Sequence, residues 1–310
     1  VLLWVPEGTD AQYLSDLPDT IEIGILPQNT TVLPPDAGRV EFLIPPWFRD
    51  DTVFKAQLRQ LTSLKVIQTY SAGVDRIVGL VPPGVTLCNG RGLHDAAVAE
   101  WVVGVILATY NKYSYYYKQQ AAGEYKPIDT DTLEGDTVTI FGYGSIGKLV
   151  EKLLGGFGVN IQRVARRGRT EEDGKVVHAF NDIDDVLPTT NILVALAPLT
   201  PETSKIINAS LLAKLPDRAL VINAGRGGVV DTDAIIAELC SGRLRAALDT
   251  TDPEPIPPGH ALWTTPNLML TQHSAGDASD YLDKVYPFIH QQLHRYMAGE
   301  PLLNVVEGNY

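Results

Sequence analysis

Residues 1–93 alternate short apolar runs with polar, turn-rich stretches. The runs Leu2–Val5, Ile21–Leu26, Val40–Ile44, Leu64–Thr69 and Val85–Cys88 are predicted as strands. Between them Thr52–Leu64 carries Val53, Leu58 and Leu61 near one face of a 3.6-residue period, which predicts a helix. Strands interleaved with helices imply a parallel sheet covered on both sides.

A long helix is expected over Ala96–Gln120, with Asp95 as its N-cap. From Val98 to Leu107 it is apolar nearly all round, so that half is buried in a domain or at a subunit contact. A second series of strands begins at Thr137: Thr137–Phe141, Asn160–Ala165, Val176–His178, Asn191–Ala195, Ala219–Asn223, Ala246–Asp249 and Asn267–Thr271. Helical segments Ser145–Leu154, Ile183–Leu187, Ala209–Leu215 and Asp231–Ser241 separate most of them, the rhythm of a doubly wound sheet. A last amphipathic helix, Ala278–Met297, follows once that sheet is complete and is expected to return to the first domain. The organisation read from this pattern is α/β: a discontinuous domain of residues 1–93 and 279–310 around a continuous one of 94–278.

A length of 310 residues suits two domains, each able to bury its own core, and 45% hydrophobic with 20% charged residues is ordinary globular composition. No apolar run is long enough to span a bilayer, and Val1–Val5 is too short and lacks the basic flank of a signal peptide. Cys88 and Cys240 stand far apart in no metal-ligand spacing, which argues for a reducing cytoplasm and against a disulfide framework or a metal site. The net charge of −12 opposes general affinity for nucleic acid or acidic membrane. An anionic substrate therefore needs a local basic site.

Gly142-Tyr143-Gly144-Ser145-Ile146-Gly147 follows a strand and opens a helix, the setting of a dinucleotide-binding loop. Its glycines would serve a tight turn, close approach to a pyrophosphate and close helix–strand packing, and the helix N-terminus offers free N–H groups to the phosphates. Alone the pattern is weak. At the end of the second strand, where a carboxylate would accept the ribose hydroxyls of NAD, Ala165 is followed by Arg166-Arg167-Gly168-Arg169. Guanidinium groups there can clamp a 2′-phosphate, so NADP is expected over NAD; the alternative is a solvated basic turn.

Ligands bind at the carboxyl ends of the strands in an open parallel sheet. Those ends deliver Gly142–Gly147, Arg166 and Arg167, Ala197 and Pro198, Asn223–Arg226, Asp249 and His273 to one rim. Singly, Asp249 could cap a turn and His273 could be a satisfied loop histidine. Together, Arg226, Glu254 and His273 supply what reduction of a 2-oxo acid requires. Arg226 can hold the substrate carboxylate and polarise the carbonyl, His273 can donate the proton, and Glu254 can orient and charge the imidazole.

Three segments are similar to the signatures of the D-isomer-specific 2-hydroxyacid dehydrogenases, a family that includes glyoxylate/hydroxypyruvate reductases. They are Asn223-Ala224-Gly225-Arg226-Gly227, Asp249-Thr250-Thr251-Asp252-Pro253-Glu254-Pro255 and Gln272-His273-Ser274-Ala275-Gly276. Ser71-Ala72-Gly73-Val74-Asp75, Val98-Ala99-Glu100, Pro198–Thr203 and Gly299–Leu302 add further matches, so the resemblance spans nearly the whole chain. It implies a Rossmann cofactor domain and a smaller flavodoxin-like substrate domain, both doubly wound. It also implies a catalytic set of Arg226, Glu254 and His273, with Asp249 on the nicotinamide carboxamide and the backbone of Ala72-Gly73-Val74 on the substrate carboxylate. Cofactor contacts are expected from Gly142, Gly144, Ser145, Ile146, Gly147, Arg166, Arg167, Arg169, Ala197, Pro198, Thr203, Ala224, Gly225 and Gly276. A homodimer built largely on the cofactor domain is implied as well. The departure from NAD-using relatives, which carry an acid where this chain has Ala165, touches the choice of cofactor and not the chemistry. Charged partners for a phosphorylated substrate are not obvious near Ser71–Asp75, so an unphosphorylated acid is expected over phosphoglycerate.

Two other readings fit the same sequence. A formate dehydrogenase also uses an arginine and a histidine, but its pattern has an amide where Glu254 stands. A non-catalytic dinucleotide sensor that binds proteins would share the fold; nothing in the chain suggests a peptide-docking extension. Pocket walls are expected from Pro45-Pro46-Trp47-Phe48 and Leu93-His94.

Overall fold

The computed structural model describes residues 1–46 and 50–307. Two compact units emerge: Val1–His94 with Ser279–Tyr310, and Asp95–Ala278.

The discontinuous unit holds five parallel strands, β1 (Leu2–Pro6), β2 (Glu22–Leu26), β3 (Phe42–Leu43), β4 (Val66–Gln68) and β5 (Thr86–Cys88). Their order, β2-β1-β3-β4-β5, is the flavodoxin-like one. Neighbouring residues along a strand face opposite sides, and the apolar runs exploit both. Trp4, Leu43 and Ile67 pack with Phe54 in one layer. Leu3, Phe42 and Val66 pack in the other with Val285, Ile289 and Leu293 of the C-terminal helix Tyr281–Ala298. Helix α1 (Asp51–Leu58) starts where the Asp50 carboxylate accepts the N–H groups of Thr52 and Val53. It is shorter than the Thr52–Leu64 segment that the periodicity predicts. Beyond Leu58 the chain tightens into turns (Leu61 N to Leu58 O, Leu64 N to Leu61 O) that still bury Leu61 and Leu64.

The continuous unit opens with α2 (Asp95–Tyr110) and α3 (Tyr113–Ala122), two helices where the pattern predicts one. The break has a local cause. Lys112 takes a left-handed conformation (φ 53°), its ammonium reaches the carbonyl of Asp129, and the Asn111 side-chain amide caps the Leu107 carbonyl. Asp95, expected as the cap, is the first helical residue.

The sheet that follows comprises β6 (Thr137–Phe141), β7 (Asn160–Ala165), β8 (Arg169–Thr170), β9 (Val176–Ala179), β10 (Ile192–Ala195), β11 (Leu220–Asn223), β12 (Arg245–Leu248) and β13 (Leu268–Leu270). Helices α4 (Ser145–Leu154), α5 (Ile183–Val186), α6 (Ala209–Leu212) and α7 (Thr232–Cys240) connect them. The order β13-β12-β11-β10-β6-β7-β9-β8 is the Rossmann order extended at both edges, and it reverses between β6 and β10. All pairings are parallel except β8 with β9. Strand β8 escapes a reading by hydrophobic pattern because Arg169 and Thr170 are both exposed. Register then fixes the rim. Phe141 lies opposite Val164 and Ala195, Ala195 opposite Asn223, Asn223 opposite Leu248, and Leu248 opposite Leu270. The residue after each, or after Ala165 in β7, leaves the sheet on the same edge.

Candidate active site

Along that rim the glycine loop comes first. A Cβ on Gly142, whose φ is +104°, would overlap the backbone of Leu196 and Ala197. On Gly225 a Cβ would lie 2.7 Å from the Ala197 carbonyl oxygen. The ends of β6, β10 and β11 thus approach so closely that only glycine fits at two of them. Gly147 is tight against Ile140 for the same reason, at 3.0 Å. Gly144 is different: a Cβ there would meet nothing within 4 Å. It is the N-cap of α4, and no side chain caps the helix's first turn. An exposed glycine before uncapped N–H groups is a cradle suited to a pyrophosphate.

Past β7 the chain carries Arg166 and Arg167, both exposed. Arg166 lies near enough to Glu202, in the loop after β10, for its charge to lower that carboxyl, a smaller effect than the Thr200 hydroxyl's hydrogen bond. Arg169 is differently placed. Its guanidinium hydrogen-bonds to Glu171 at 2.8 Å and donates to the carbonyl of Tyr143 at 3.2 Å. After β10, Ala197 is buried and Pro198 exposed, while the buried Thr203 hydroxyl donates to the Pro198 carbonyl at 2.6 Å and closes that loop on itself. Ala224 donates its N–H to the Ala195 carbonyl.

The chemistry-bearing side chains gather after β11, β12 and β13. His273 Nδ1 stands 2.5 Å from Glu254 Oε1, with both side chains nearly half exposed. The Glu254 hydrogen bond raises the imidazole pKa above its ordinary value; burial and the Arg226 charge offset part of the rise. Burial alone would push the Glu254 carboxyl up, yet the His273 bond and charge, a Thr251 backbone bond and Arg226 together bring it below its usual range. The two therefore form an imidazolium–carboxylate pair over a wider pH range than either would alone. Arg226 is half-buried, with Nη1 donating to the Gly225 carbonyl and its own carbonyl held by the Asn223 amide.

Asp249 organises the loop that presents His273. The residue is 4% exposed, and its carboxylate accepts from the Thr271 hydroxyl (2.5 Å), the Ser274 N–H (2.9 Å) and the Ala275 N–H (3.1 Å). The Asp249 carbonyl takes the His273 N–H at 2.7 Å. His273 itself sits at φ 53°, a conformation that costs a non-glycine residue roughly 1–2 kcal/mol. Four hydrogen bonds to one aspartate hold that strain in place. A carboxylate has about four lone-pair sites; Asp249 spends three on this loop and retains one that a carboxamide N–H could use. Half-buried Gly276 follows on the same loop.

Sequence reasoning placed Asp249 at the rim but missed Thr271, Ser274 and Ala275 as its partners. No spacing rule links a residue to backbone donors more than twenty positions away. Tyr143 was also missed: it is 6% exposed, with its phenol on Glu151 at 2.6 Å.

In the other unit, Ala72-Gly73-Val74 follows β4. Asn89 Nδ2 donates to the Ala72 carbonyl and Ser71 Oγ to the Gly73 carbonyl, both at 2.8 Å, while the Val74 side chain is core. Their carbonyls are thus tied down, which fixes the peptide planes of the turn. Of the expected pocket walls, Trp47 and Phe48 lie outside the described residues. His94 stacks on Tyr281 with ring centroids 4.2 Å apart. Among the described residues no group of His, Cys, Asp and Glu could hold a metal ion, and no helix is long and apolar enough to cross a membrane.

Residues 103–275 match the family model of the D-isomer specific 2-hydroxyacid dehydrogenase, NAD binding domain. A glyoxylate reductase of Thermofilum pendens is 33% identical over 248 residues, which cover 77% of this chain and 73% of that protein. A formate dehydrogenase of Arabidopsis thaliana is 29% identical over 265 residues, 82% of this chain and 68% of that one. Among solved structures, a D-isomer specific 2-hydroxyacid dehydrogenase from Xanthobacter autotrophicus in complex with NADPH and MES superposes with a TM-score of 0.85. It is 27% identical, and 99% of this chain and 98% of that one are covered.

Proposed function

The chain belongs to the D-isomer specific 2-hydroxyacid dehydrogenases, and from that premise we propose that it reduces a small unphosphorylated 2-oxo acid, such as glyoxylate or hydroxypyruvate, with NADPH. The observation that carries this reading is the 2.5 Å contact between His273 Nδ1 and Glu254 Oε1 on the loops after β13 and β12. With Nδ1 engaged by the carboxylate, Nε2 is the nitrogen left to give a proton to a carbonyl oxygen. Glu254 raises the imidazole pKa and so favours the charged, proton-bearing form of the ring. The planar fork of Arg226 suits a carboxylate, and its positive charge would stabilise negative charge growing on the carbonyl oxygen. Asp249 holds the His273 loop and retains an acceptor site for a carboxamide.

The residues fit a dinucleotide: open Gly144 and the uncapped start of α4 for the pyrophosphate, Arg166 and Arg167 for an adenosine 2′-phosphate. The bound nicotinamide ring would supply the hydride. The relative from Xanthobacter autotrophicus was solved with NADPH, and β7 ends here in Ala165 rather than in a carboxylate that would favour the bare ribose of NAD. Exposed Tyr113, Tyr117 and Tyr125 on and after α3 support a homodimer through this unit; sedimentation of a monomer at assay concentrations would remove that part.

The test is oxidation of NADPH and of NADH with glyoxylate, hydroxypyruvate and phenylpyruvate, ranked by kcat/KM. Turnover of at least one acid with NADPH preferred supports the proposal. Replacing Arg166 and Arg167 with alanine should weaken NADPH by roughly tenfold or more per residue with little change for NADH, since each lost charge-assisted bond costs about 1.5–3 kcal/mol. Preference of the unaltered enzyme for NADH sinks the cofactor assignment. Formate oxidation in place of 2-oxo acid reduction would favour the formate dehydrogenase reading. Dinucleotide binding without turnover of any of these compounds would favour a sensor.

A further inference from the structure

Read from sequence, Arg169 is a third member of the basic turn after β7, alongside Arg166 and Arg167. Its surroundings give it another task. Through β8 its side chain turns back toward the glycine loop and donates from Nη2 to the carbonyl of Tyr143, the residue between Gly142 and Gly144. The same guanidinium is held by Glu171 Oε1, with Nε at 2.8 Å and Nη2 at 2.7 Å. Glu171 Oε2 pairs in turn with Lys148 Nζ at 2.7 Å, and Lys148 stands in the first turn of α4, its N–H on the Gly144 carbonyl. One carboxylate therefore joins the residue that grips the loop's second position to the helix that begins at its end.

A second network reaches the Tyr143 side chain from below. The phenol donates to Glu151 at 2.6 Å, and the Arg163 guanidinium lies 4.9 Å from the ring centroid. Arg163 is 4% exposed and is shared between Glu151 and Asp173, with bonds of 2.5 and 2.7 Å to their carboxylates. The middle of a glycine-rich turn is ordinarily its most adaptable part. Here it is fixed at carbonyl, ring and hydroxyl.

We propose that Arg169, held by Glu171 and Lys148, is a positioning residue for the loop Gly142–Gly147 rather than a ligand of the adenosine 2′-phosphate. It orients the Tyr143 peptide so that the N–H groups around Gly144 keep the arrangement a pyrophosphate requires. NADPH and NADH share the pyrophosphate, and only NADPH carries the extra phosphate. A brace on the loop therefore acts on both cofactors alike, whereas a 2′-phosphate ligand acts on one. This inference rests on the dinucleotide reading above and separates the arginines within it.

The experiment measures dissociation constants of NADPH and NADH by fluorescence titration, scaled to the folded fraction, for unaltered protein, Arg169→Ala, Arg169→Lys, Glu171→Gln and the Arg166→Ala/Arg167→Ala pair. Arg169→Ala should weaken both cofactors by the same factor, roughly two- to fivefold for a partly exposed ion pair. Glu171→Gln, which keeps shape and removes the ion pairs, should move both in the same direction. Arg169→Lys, which retains a donor, should recover part of the loss. The Arg166/Arg167 pair should weaken NADPH alone. A loss confined to NADPH in Arg169→Ala would make Arg169 a 2′-phosphate ligand and overturn the proposal, as would unchanged affinity for both. Failure of unaltered protein to bind either dinucleotide would instead overturn the cofactor reading beneath it.

Discussion

His273 occupies left-handed backbone space, and the proton it is proposed to deliver depends on one carboxylate 2.5 Å away. The pH dependence follows from the direction of the shift. Glu254 raises the imidazole pKa above about 6.5, so the reductive rate should stay high through that value and fall as pH rises past the raised one. Oxidation of the hydroxy acid needs the neutral ring and should climb over the same range. Glu254→Gln withdraws the support, the pKa drops, and the reductive limb moves to lower pH, with the greatest loss at neutral and alkaline pH. An unshifted profile in a folded, NADPH-binding Glu254→Gln would leave Glu254 a loop residue only. His273→Ala should abolish the titration and cost roughly 10²–10⁴ in kcat. At Arg226, lysine keeps the charge and loses the planar fork. Turnover of Arg226→Lys should fall sharply while NADPH binding persists; near-normal turnover would remove Arg226 from the site.

Strand ends and turns decide the next level, and two glycines of one loop separate packing from binding. Gly142→Ala must place a methyl against the Leu196–Ala197 backbone at positive φ, and the strain alone costs on the order of 1–3 kcal/mol. Its melting temperature should fall. Gly144→Ala meets nothing in the protein, so its stability should hold while its methyl crowds the pyrophosphate space and weakens dinucleotide binding. Equal melting temperatures for both variants would show that the close approach at Gly142 is relaxed in solution. Asp249→Asn tests the loop after β13. An amide cannot accept at both of its ends, so at least one of the Thr271, Ser274 and Ala275 donors loses its partner. A buried unsatisfied donor costs about 1–3 kcal/mol, to be read from denaturant unfolding together with a drop in kcat. Unchanged stability would mean that the carboxylate does not hold the loop.

Across the whole molecule, residues 95–278 form a continuous segment with cores on both faces of its sheet, Phe141, Leu193 and Val221 on one and Ile140, Val194 and Ile222 on the other. Such a segment meets the conditions for folding alone. A fragment Asp95–Ala278 should unfold cooperatively and bind NADPH. A fragment that remained unfolded under native conditions would show that the second unit depends on the first for stability.

Hydrophobic periodicity and the glycine turns determined which segments become strands and helices, because burial of alternating or one-sided apolar positions is a local code that survives in one dimension. The same code failed where side chains were not buried by pattern: at exposed β8, at Lys112 between α2 and α3, and beyond Leu58, where tight turns replace helix. The residue types at the strand ends, Arg226, Asp249 and His273, were legible because a parallel sheet brings all its carboxyl ends to one edge. Apart from the pairing of His273 with Glu254, already expected from the sequence, only the tertiary structure decided what each touches. The commitment of Asp249 to three donors from another loop and the reach of Arg169 back to the Tyr143 carbonyl are contacts between segments. Their partners are set by strand register and loop path, and neither is written in the spacing of residues along the chain.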